Sequence, residues 1–249
     1  MTLFYYWCLA NRLSINVIKT NFIIFSNKKI DNLPPLLIKN DFTYECITKV
    51  THTKFLGIIY DDKLKFEKHI QYLTSLLASR SALIYRLRDF LPKNILKKIY
   101  YSQVYSLLNY CNVVWANTFK SHLNPLILIH KRIIRNIAKA EFFAHTDELY
   151  KNLNILNING INTLNLGTMM LHNVRKQNIQ LVQGEHTYRT RNRNISRIPA
   201  HQTTLYGNSF LCQGIKLWNS LMKLITLPIK LTTFKLKLKR LLINGFKVV

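Results

Sequence analysis

The stretch that decides the fold is KFLGIIYDDKLKFEKHI, residues 54–70. It begins as an apolar, β-branched run that ends at Tyr60, and from Leu64 onward apolar residues recur at helical spacing. The sequence therefore predicts that a β-rich segment gives way to a helix here. The change places Asp61 and Asp62 directly after a strand, where paired carboxylates in two-metal enzymes can also hold divalent ions.

We predict that this aspartate pair is a turn and helix cap rather than a metal site. Two-metal chemistry places its ions roughly 3.5–4 Å apart and needs a further carboxylate on a neighbouring strand. Upstream the sequence offers Asp31 and Asp41, each beside a predicted turn. Asp61 or Asp62 instead precedes a helix, whose first N–H groups and positive end favour an acidic side chain. No metal ligand is predicted.

On either side of this stretch the pattern predicts an α+β protein. Upstream lie one short amphipathic helix within 3–14 and a small antiparallel β region over 20–60, with strand candidates NFIIFS, LLIK, FTYECITKV and KFLGIIY. Downstream, three helices are predicted from apolar stripes: Phe66, Ile70, Leu73, Leu77, Ile84 and Leu87; then Leu96, Ile99, Gln103, Leu107, Cys111 and Val114; then Leu126, Ile129, Ile133 and Ile137.

Farther along, residues 160–177 and 207–225 are predicted to be helical, and the polar, basic stretch 183–202 to be a loop. The segment LTTFKLKLKRLLI near the end alternates like a strand over Phe234–Lys239, but Leu231, Phe234, Leu238, Leu241 and Leu242 also share one helical face. We favour the helix. The four cysteines, Cys8, Cys46, Cys111 and Cys212, are too far apart for a zinc finger or a dense disulfide framework.

The charge balance favours a polyanionic partner. The 249 residues include 36 Lys+Arg and 11 Asp+Glu, a formal net charge of +25. A summed positive potential attracts phosphate backbones without any sequence readout. An A+T-rich genome would also enrich lysine through codon bias. Codon bias without any selection for binding is therefore the alternative explanation of the charge. No run of 18 apolar residues occurs, so no membrane span is predicted. No targeting signal indicates a location, and cytoplasm and nucleus both stay open.

Several stretches carry a resemblance to a known family. In chain order they are WCLANRLSINVIKTNFIIFSNK, KFLGIIYDDKLKFEKHI, ALIYRLRDFLPKNILKKIYYSQVYSLLNYCNVVWANT, HKRIIRNIAKAEFFAHTDELYKNLNIL, TYRTRNRN, GIKLWNSL and TFKLKLKRLL. Together they resemble the C-terminal half of reverse transcriptases from non-LTR (LINE-type) retrotransposons, relatives of the jockey and RTE groups. The likeness covers nearly all of the chain.

The resemblance implies three parts: 1–62, the end of the palm with a primer-grip-like hairpin; 63–140, a helical thumb-like domain; and 141–249, a basic, mostly helical C-terminal region. In that family the catalytic aromatic-x-Asp-Asp motif lies upstream of the stretch matched here. The chain is therefore expected to begin after that motif and not to be an enzyme as it stands. Mg²⁺ is expected only for the complete polymerase, with no cofactor in this chain. The implied partners are RNA or DNA as a template–primer duplex, and the missing palm and fingers portion.

The resemblance also assigns residues. Lys19 matches a palm lysine that can act as a proton donor to pyrophosphate, although a surface or capping role is equally open. Phe55, Leu56 and Gly57 match the primer grip, and Leu56 is expected to pack partly into the core as well. The positions matched to nucleic-acid contacts are Lys65, Lys68, Arg80, Arg86, Arg88, Lys93 and Lys97 in the thumb, Lys131, Arg132 and Arg135 in a basic helix where His130 replaces the family's usual Gln, and Arg189, Arg191, Arg193 and Arg197 in a basic segment.

Each cluster of cations also has a simpler interpretation as a solvated surface. At the level of the whole chain, two alternatives to a polymerase fragment stay open. One is a basic nucleic-acid-binding protein adopted by a host, without enzymatic activity. The other is a non-functional pseudogene product, in which an exposed apolar face on residues 3–14 would favour aggregation.

Overall fold

A computed structural model describes residues 2–26, 34–40, 43–177, 179, 195–225 and 230–246. The fold is α+β, with short strand pairs followed by a mainly helical C-terminal part, as predicted. The chain splits into two compact units, Met1–His69 and Ile70–Val249. The finer division into 1–62, 63–140 and 141–249 stays a prediction.

The first unit contains the strands. Its elements are α1 (Thr2–Ala10), a 3-10 turn (Val17–Lys19), β1 (Asn21–Phe22), β2 (Leu37–Asn40), β3 (Thr43–Cys46), β4 (Thr48–Lys49), β5 (His52–Phe55) and β6 (Ile58–Asp61). β2 pairs with β3 and β5 with β6, both antiparallel. β1 pairs with β4 in parallel, Asn21 opposite Thr48. The prediction of an antiparallel region is therefore confirmed for two pairs, and the predicted strand NFIIFS is shortened to two residues.

The first helix exposes most of the apolar side chains whose spacing predicted an amphipathic helix. Cys8 is its buried side chain, whereas Leu3 is 88% exposed and Tyr6, Leu9 and Leu13 are exposed as well. The helix ends early, because Arg12 has a positive φ of 55° and Leu13 N–H bonds back to the Cys8 carbonyl. An exposed apolar face over 3–14 is thus present.

The second unit is helical, and the boundary between the units falls within α2. Its elements are α2 (Glu67–Leu87), α3 (Lys93–Tyr100), a π-helical segment (Tyr101–Tyr105), α4 (Ser106–Asn109), α5 (Asn112–Trp115), α6 (Lys120–Ala138), α7 (Thr146–Leu153), α8 (Ile158–Arg175), α9 (Thr204–Gly207), α10 (Phe210–Met222) and α11 (Leu231–Ile243). The predicted stripe of α2 is confirmed, with Leu87 half-buried and the other members buried. In α6, Leu126, Ile133 and Ile137 are buried as predicted and Ile129 is half-buried.

The predicted stripe of the second downstream helix is wrong after its first member. The buried side chains are Leu96, Tyr100, Val104 and Leu108, four residues apart, whereas Gln103 is exposed. The cause is the π-helical segment, which adds a residue to the turn and shifts the inward face. The helix then stops at Asn109, and Cys111, expected inside, is exposed with a positive φ of 46°.

One core of the second unit lies where α8, α10 and α11 meet. Its buried members are Leu166, Met170, Leu171, Ile215, Leu217, Trp218, Leu221, Ile225, Phe234 and Leu238. Two glycines permit this close packing. A Cβ on Gly167 would lie 2.8 Å from Leu238 Cδ2, and one on Gly214 would lie 2.5 Å from Met170 Sδ. The strand alternative for 234–239 is excluded, because α11 is a helix throughout.

Within the described part of the chain, none of the helices combines the length and the apolar character that a membrane crossing requires.

Candidate nucleic-acid interface

The hairpin of β5 and β6 has the tightest kind of loop. Phe55 pairs with Ile58, so Leu56 and Gly57 alone form the turn, with φ of 46° and 82°. Two positive φ values are the signature of a type I′ turn, which normally takes Asn-Gly. Leucine is an unfavourable choice, since a left-handed conformation costs an L-residue about 1–2 kcal/mol.

The tip of this hairpin is also exposed. Phe55 is 61% exposed and Leu56 is 73% exposed. The expectation that Leu56 packs into the core is therefore wrong. The backbone of Leu56 is therefore strained while its apolar side chain is exposed, and strained backbone conformations cluster at ligand-binding and active sites.

Asp61 organises the loop that follows the hairpin. Its Oδ1 accepts N–H groups from Lys63 at 3.1 Å and Lys65 at 2.9 Å, and its Oδ2 accepts the Phe66 N–H at 2.5 Å. The prediction that the aspartate pair forms a turn is confirmed. In detail the carboxylate caps the loop ahead of α2 rather than α2 itself, because the helix begins at Glu67. Leu64 and Phe66 have positive φ, which lets the loop curl around this carboxylate.

Exposed lysines lie in this loop and just after it. Lys65 and Lys68 are exposed, and Lys68 Nζ lies 3.0 Å from His52 Nδ1. His69 is buried beneath them, and Ile59 N–H lies 3.5 Å from its Nδ1. Burial, with a smaller contribution from the charge of Lys54, lowers the pKa of His69 to about 4. The ring therefore stays neutral near pH 7 and adds no charge to the surface.

Lys19 occupies the last position of the 3-10 turn. Its side chain is exposed, and its backbone N–H bonds to Asn16 Oδ1 at 3.1 Å. The cap of this turn is therefore Asn16. The role of the Lys19 ammonium as a proton donor stays a prediction.

The thumb-like cations differ in how accessible they are. Arg86 and Lys93 are exposed, whereas Arg80, Arg88 and Lys97 are half-buried. Arg88 stacks 4.5 Å above the Tyr85 ring and lies 3.5 Å from Asp89 Oδ1. Arg80 Nε is buried and has no hydrogen-bond partner among the described residues.

The cations of the basic helix α6 have different roles: some face solvent, and one makes an internal hydrogen bond. Arg132 is exposed and Lys131 is half-buried. Arg135 is half-buried and donates its Nε–H to the Ala144 carbonyl at 2.8 Å, which fixes the loop between α6 and α7. Arg197 is exposed, and Arg189, Arg191 and Arg193 lie outside the described residues.

A buried polar cluster beneath the basic face of α6 was not predicted. The Tyr100 hydroxyl lies 2.9 Å from His130 Nε2, and the Tyr150 hydroxyl lies 3.0 Å from His130 Nδ1. Burial lowers the pKa of His130 to about 3 and raises those of Tyr100 and Tyr150. A neutral imidazole donates from one nitrogen and accepts at the other, so it can satisfy both hydroxyls. The only sequence signal was a histidine on the buried side of an apolar stripe.

Comparisons with known proteins give one informative relative. The chain is 25% identical over 155 residues, 61% of its length, to the probable RNA-directed DNA polymerase from transposon X-element of Drosophila melanogaster. The match covers 16% of that protein. No protein-family model matches, and neither does any solved structure. The match supports an origin related to retrotransposon reverse transcriptases.

Proposed function

We propose that this chain is the template–primer-binding part of a retrotransposon RNA-directed DNA polymerase, and that by itself it binds nucleic acid without polymerising. The observation that carries the proposal is its unneutralised positive charge, in a chain whose relative is an RNA-directed DNA polymerase. With 36 cations and 11 carboxylates, at least 25 cations have no acidic partner in the chain if each pairs once (36 − 11 = 25). Such surfaces bind phosphate backbones, and the contacts position the duplex without reading its sequence.

The helical cations supply the contacts. Arg86 at the end of α2, Lys93 at the start of α3 and Arg132 on α6 are all exposed. Each sits on a regular helix, so its backbone position is fixed and binding does not have to order a loop. Arg135 supports this surface indirectly, because its Nε–H donates to the Ala144 carbonyl and so holds the loop after α6.

The hairpin tip acts as the primer grip in this proposal. The exposed Phe55 and Leu56 approach the primer terminus, and Gly57 lets the backbone come close. The strained backbone of Leu56 supports this role, because Asn would be the better residue for the turn alone. Lys19 serves as proton donor only when a palm with catalytic carboxylates is present. That palm and its fingers are the protein partner, and Mg²⁺ belongs to the complete enzyme.

The hydrogen bonds of Asp61 support the proposal that the chain alone does not polymerise. Both of its oxygens accept backbone N–H groups, so the carboxylate already has a structural task. A metal ion would compete with three hydrogen bonds that hold the loop together. Within the described ranges, no three His, Cys, Asp or Glu side chains gather into a group that could hold a metal ion.

The test is binding and primer extension by the purified chain. We expect a fluorescently labelled RNA/DNA hybrid to bind with an affinity that falls steeply with salt, by roughly 0.9 in log K per log salt for each phosphate neutralised on a B-form duplex. We expect no extension of the primer with Mg²⁺ and nucleotides. Salt-independent or undetectable binding would overturn the binding role, and extension would overturn the claim that the chain does not polymerise.

A matched set of variants sharpens this test. Arg86→Gln, Lys93→Gln and Arg132→Gln together remove three exposed positive charges from the proposed surface. The control combines Lys151→Gln, Lys176→Gln and Lys223→Gln, which removes three exposed charges from positions assigned no role. If each of the three cations contacts one phosphate, the first variant should lower the slope of log K against log salt by about 3 × 0.9. The control variant should lower this slope clearly less. Equal losses would show that net charge alone drives binding.

A further inference from the structure

Helix α11 carries a dense set of cations that no assignment above includes. Lys235, Lys237, Lys239 and Arg240 lie within its 13 residues, Leu231–Ile243. No acidic residue occurs in α11 or in the two helices packed against it, α8 and α10. From Lys151 to the end of the chain there are fifteen basic residues and one acid, Glu185. The positive potential of this helix is therefore not offset by its neighbours.

The apolar face of α11 is already occupied. Phe234 and Leu238 are fully buried in the core formed with α8 and α10, and Leu238 fills the space left by Gly167. A basic amphipathic helix can bind a membrane surface, but it does so by inserting its apolar face into the lipid. Here that face is unavailable without unfolding the core. The surface left for a partner is the charged one.

This charged surface extends toward α3. Lys239 Nζ lies 5.9 Å from the centre of the Tyr101 ring, and Tyr101 directly follows the last turn of α3. Lys97 and Lys98 lie in that last turn, one helical turn before Tyr101. Tyr101 is held in turn by its hydroxyl, which lies 3.4 Å from the Asn154 carbonyl oxygen. Cations from two helices are thus presented by backbones with fixed positions.

We propose that the exposed face of α11, with the adjoining end of α3, is a binding site for the phosphate backbone of nucleic acid. Charge complementarity selects this partner, because a polyanion supplies closely spaced negative charges along its length. Lys235 and Lys239 are four residues apart and therefore lie about one helical turn from each other, roughly 6 Å along the axis. The inference rests on the proposed nucleic-acid binding and adds to it a second surface, on the C-terminal helices.

The test uses the full chain with Lys235→Gln, Lys237→Gln and Arg240→Gln combined, leaving Lys239 on Tyr101. All three side chains are exposed, so the core is untouched. The control is the Lys151, Lys176 and Lys223 triple variant, which removes the same net charge. Circular dichroism and thermal unfolding establish that both variants are folded. Fluorescence anisotropy then measures binding to a labelled 20-base-pair duplex over a range of salt concentrations.

The α11 variant is expected to lose at least tenfold in affinity at 100 mM salt and about 3 × 0.9 in salt slope, with the control losing clearly less. If the wild type binds and the two variants lose equally, the α11 site is overturned while the proposed function stands. If the wild type does not bind, both fail.

Two further probes exclude other anionic partners. Poly-glutamate that binds as tightly as the duplex, with the same dependence on α11, would show an acidic protein to be the partner and overturn the proposal. Binding to phosphatidylserine–phosphatidylcholine vesicles in place of the duplex would overturn it as well. Weak binding to both, with strong binding to the duplex, is the expected result.

Discussion

The Tyr100 hydroxyl oxygen lies 2.9 Å from His130 Nε2, so the last residue of α3 is joined to the middle of α6 by a buried hydrogen bond. With Tyr150 on the other ring nitrogen, three helices meet at one neutral imidazole. This arrangement makes the helical unit sensitive to acid.

The first prediction concerns that sensitivity. The unfolded chain binds a proton at His130 near pH 6.5, whereas the folded chain binds it only near pH 3. Acid therefore favours unfolding, and stability present above pH 6.5 is lost as the pH falls toward 3. Between pH 7 and pH 5 we expect a loss of about 2 kcal/mol from this group.

Denaturant unfolding at several pH values measures that loss. The His130→Gln variant should have a lower free energy of unfolding at pH 7 than the wild type. Its free energy of unfolding should also fall less between pH 7 and pH 5. His172→Gln, at an exposed position, is the control and should leave the profile unchanged. A His130→Gln profile as steep as that of the wild type would contradict the prediction.

A second prediction concerns the contact between α8 and α10. Gly214→Ala places a methyl group within 2.5 Å of Met170 Sδ, so we expect a net destabilisation of about 1–2 kcal/mol despite the better helix propensity of alanine. Thermal unfolding measures it. Met170→Ala should relieve the clash, so the double variant should be more stable than the sum of the two single effects. Simple additivity would rule out the steric explanation.

The carboxylate of Asp61 gives a third prediction. Asp61→Ala removes the acceptor of three backbone N–H groups, so the loop 62–66 should open and the first unit should lose about 2–3 kcal/mol. Amide hydrogen exchange at Lys63, Lys65 and Phe66 should become much faster. Asp62→Ala serves as the comparison and should change these amides little. Equal effects of the two substitutions would mean that Asp61 is not the organising residue.

The fourth prediction separates stability from function at the hairpin. Leu56→Asn suits a type I′ turn, so we expect a gain of about 1 kcal/mol in the free energy of unfolding. If the exposed leucine contacts the primer terminus, the same variant should bind a recessed primer–template less tightly than the wild type. Gly57→Ala, also at a positive φ, should instead destabilise the hairpin. A more stable Leu56→Asn variant with undiminished binding would argue against a primer-grip role.

Local sequence was sufficient for much of this fold. The helices α2, α6 and α11 follow apolar spacing near 3.6 residues, and that spacing is visible without the structure. Asp61 was predicted to be a turn residue because it follows a strand and precedes a helix, where an Asp carboxylate commonly accepts hydrogen bonds from backbone N–H groups. The excess of cations, on which the proposal of a polyanionic partner rests, is a property of composition alone.

Other features depended on contacts between distant residues. The inward face of the α3–α4 helix is shifted by a π-helical segment, which a regular helical period cannot anticipate. The spacing in α1 predicted an amphipathic helix but not that most of its apolar side chains are exposed and that Cys8 is buried. The sequence near 234–239 also alternates like a strand; the favoured helix is confirmed, and Phe234 and Leu238 of that helix are buried in the core with α8 and α10.

The sequence by itself thus determined the fold class, the main helices and a charge that favours phosphate. The tertiary structure decided which cations are exposed, which, like Arg135, are used internally, and which histidines are buried and neutral. It also placed Lys239 of α11 beside the Tyr101 ring. The physical reason is that spacing and composition act locally along the chain, whereas burial and charge pairing depend on residues that only folding brings together.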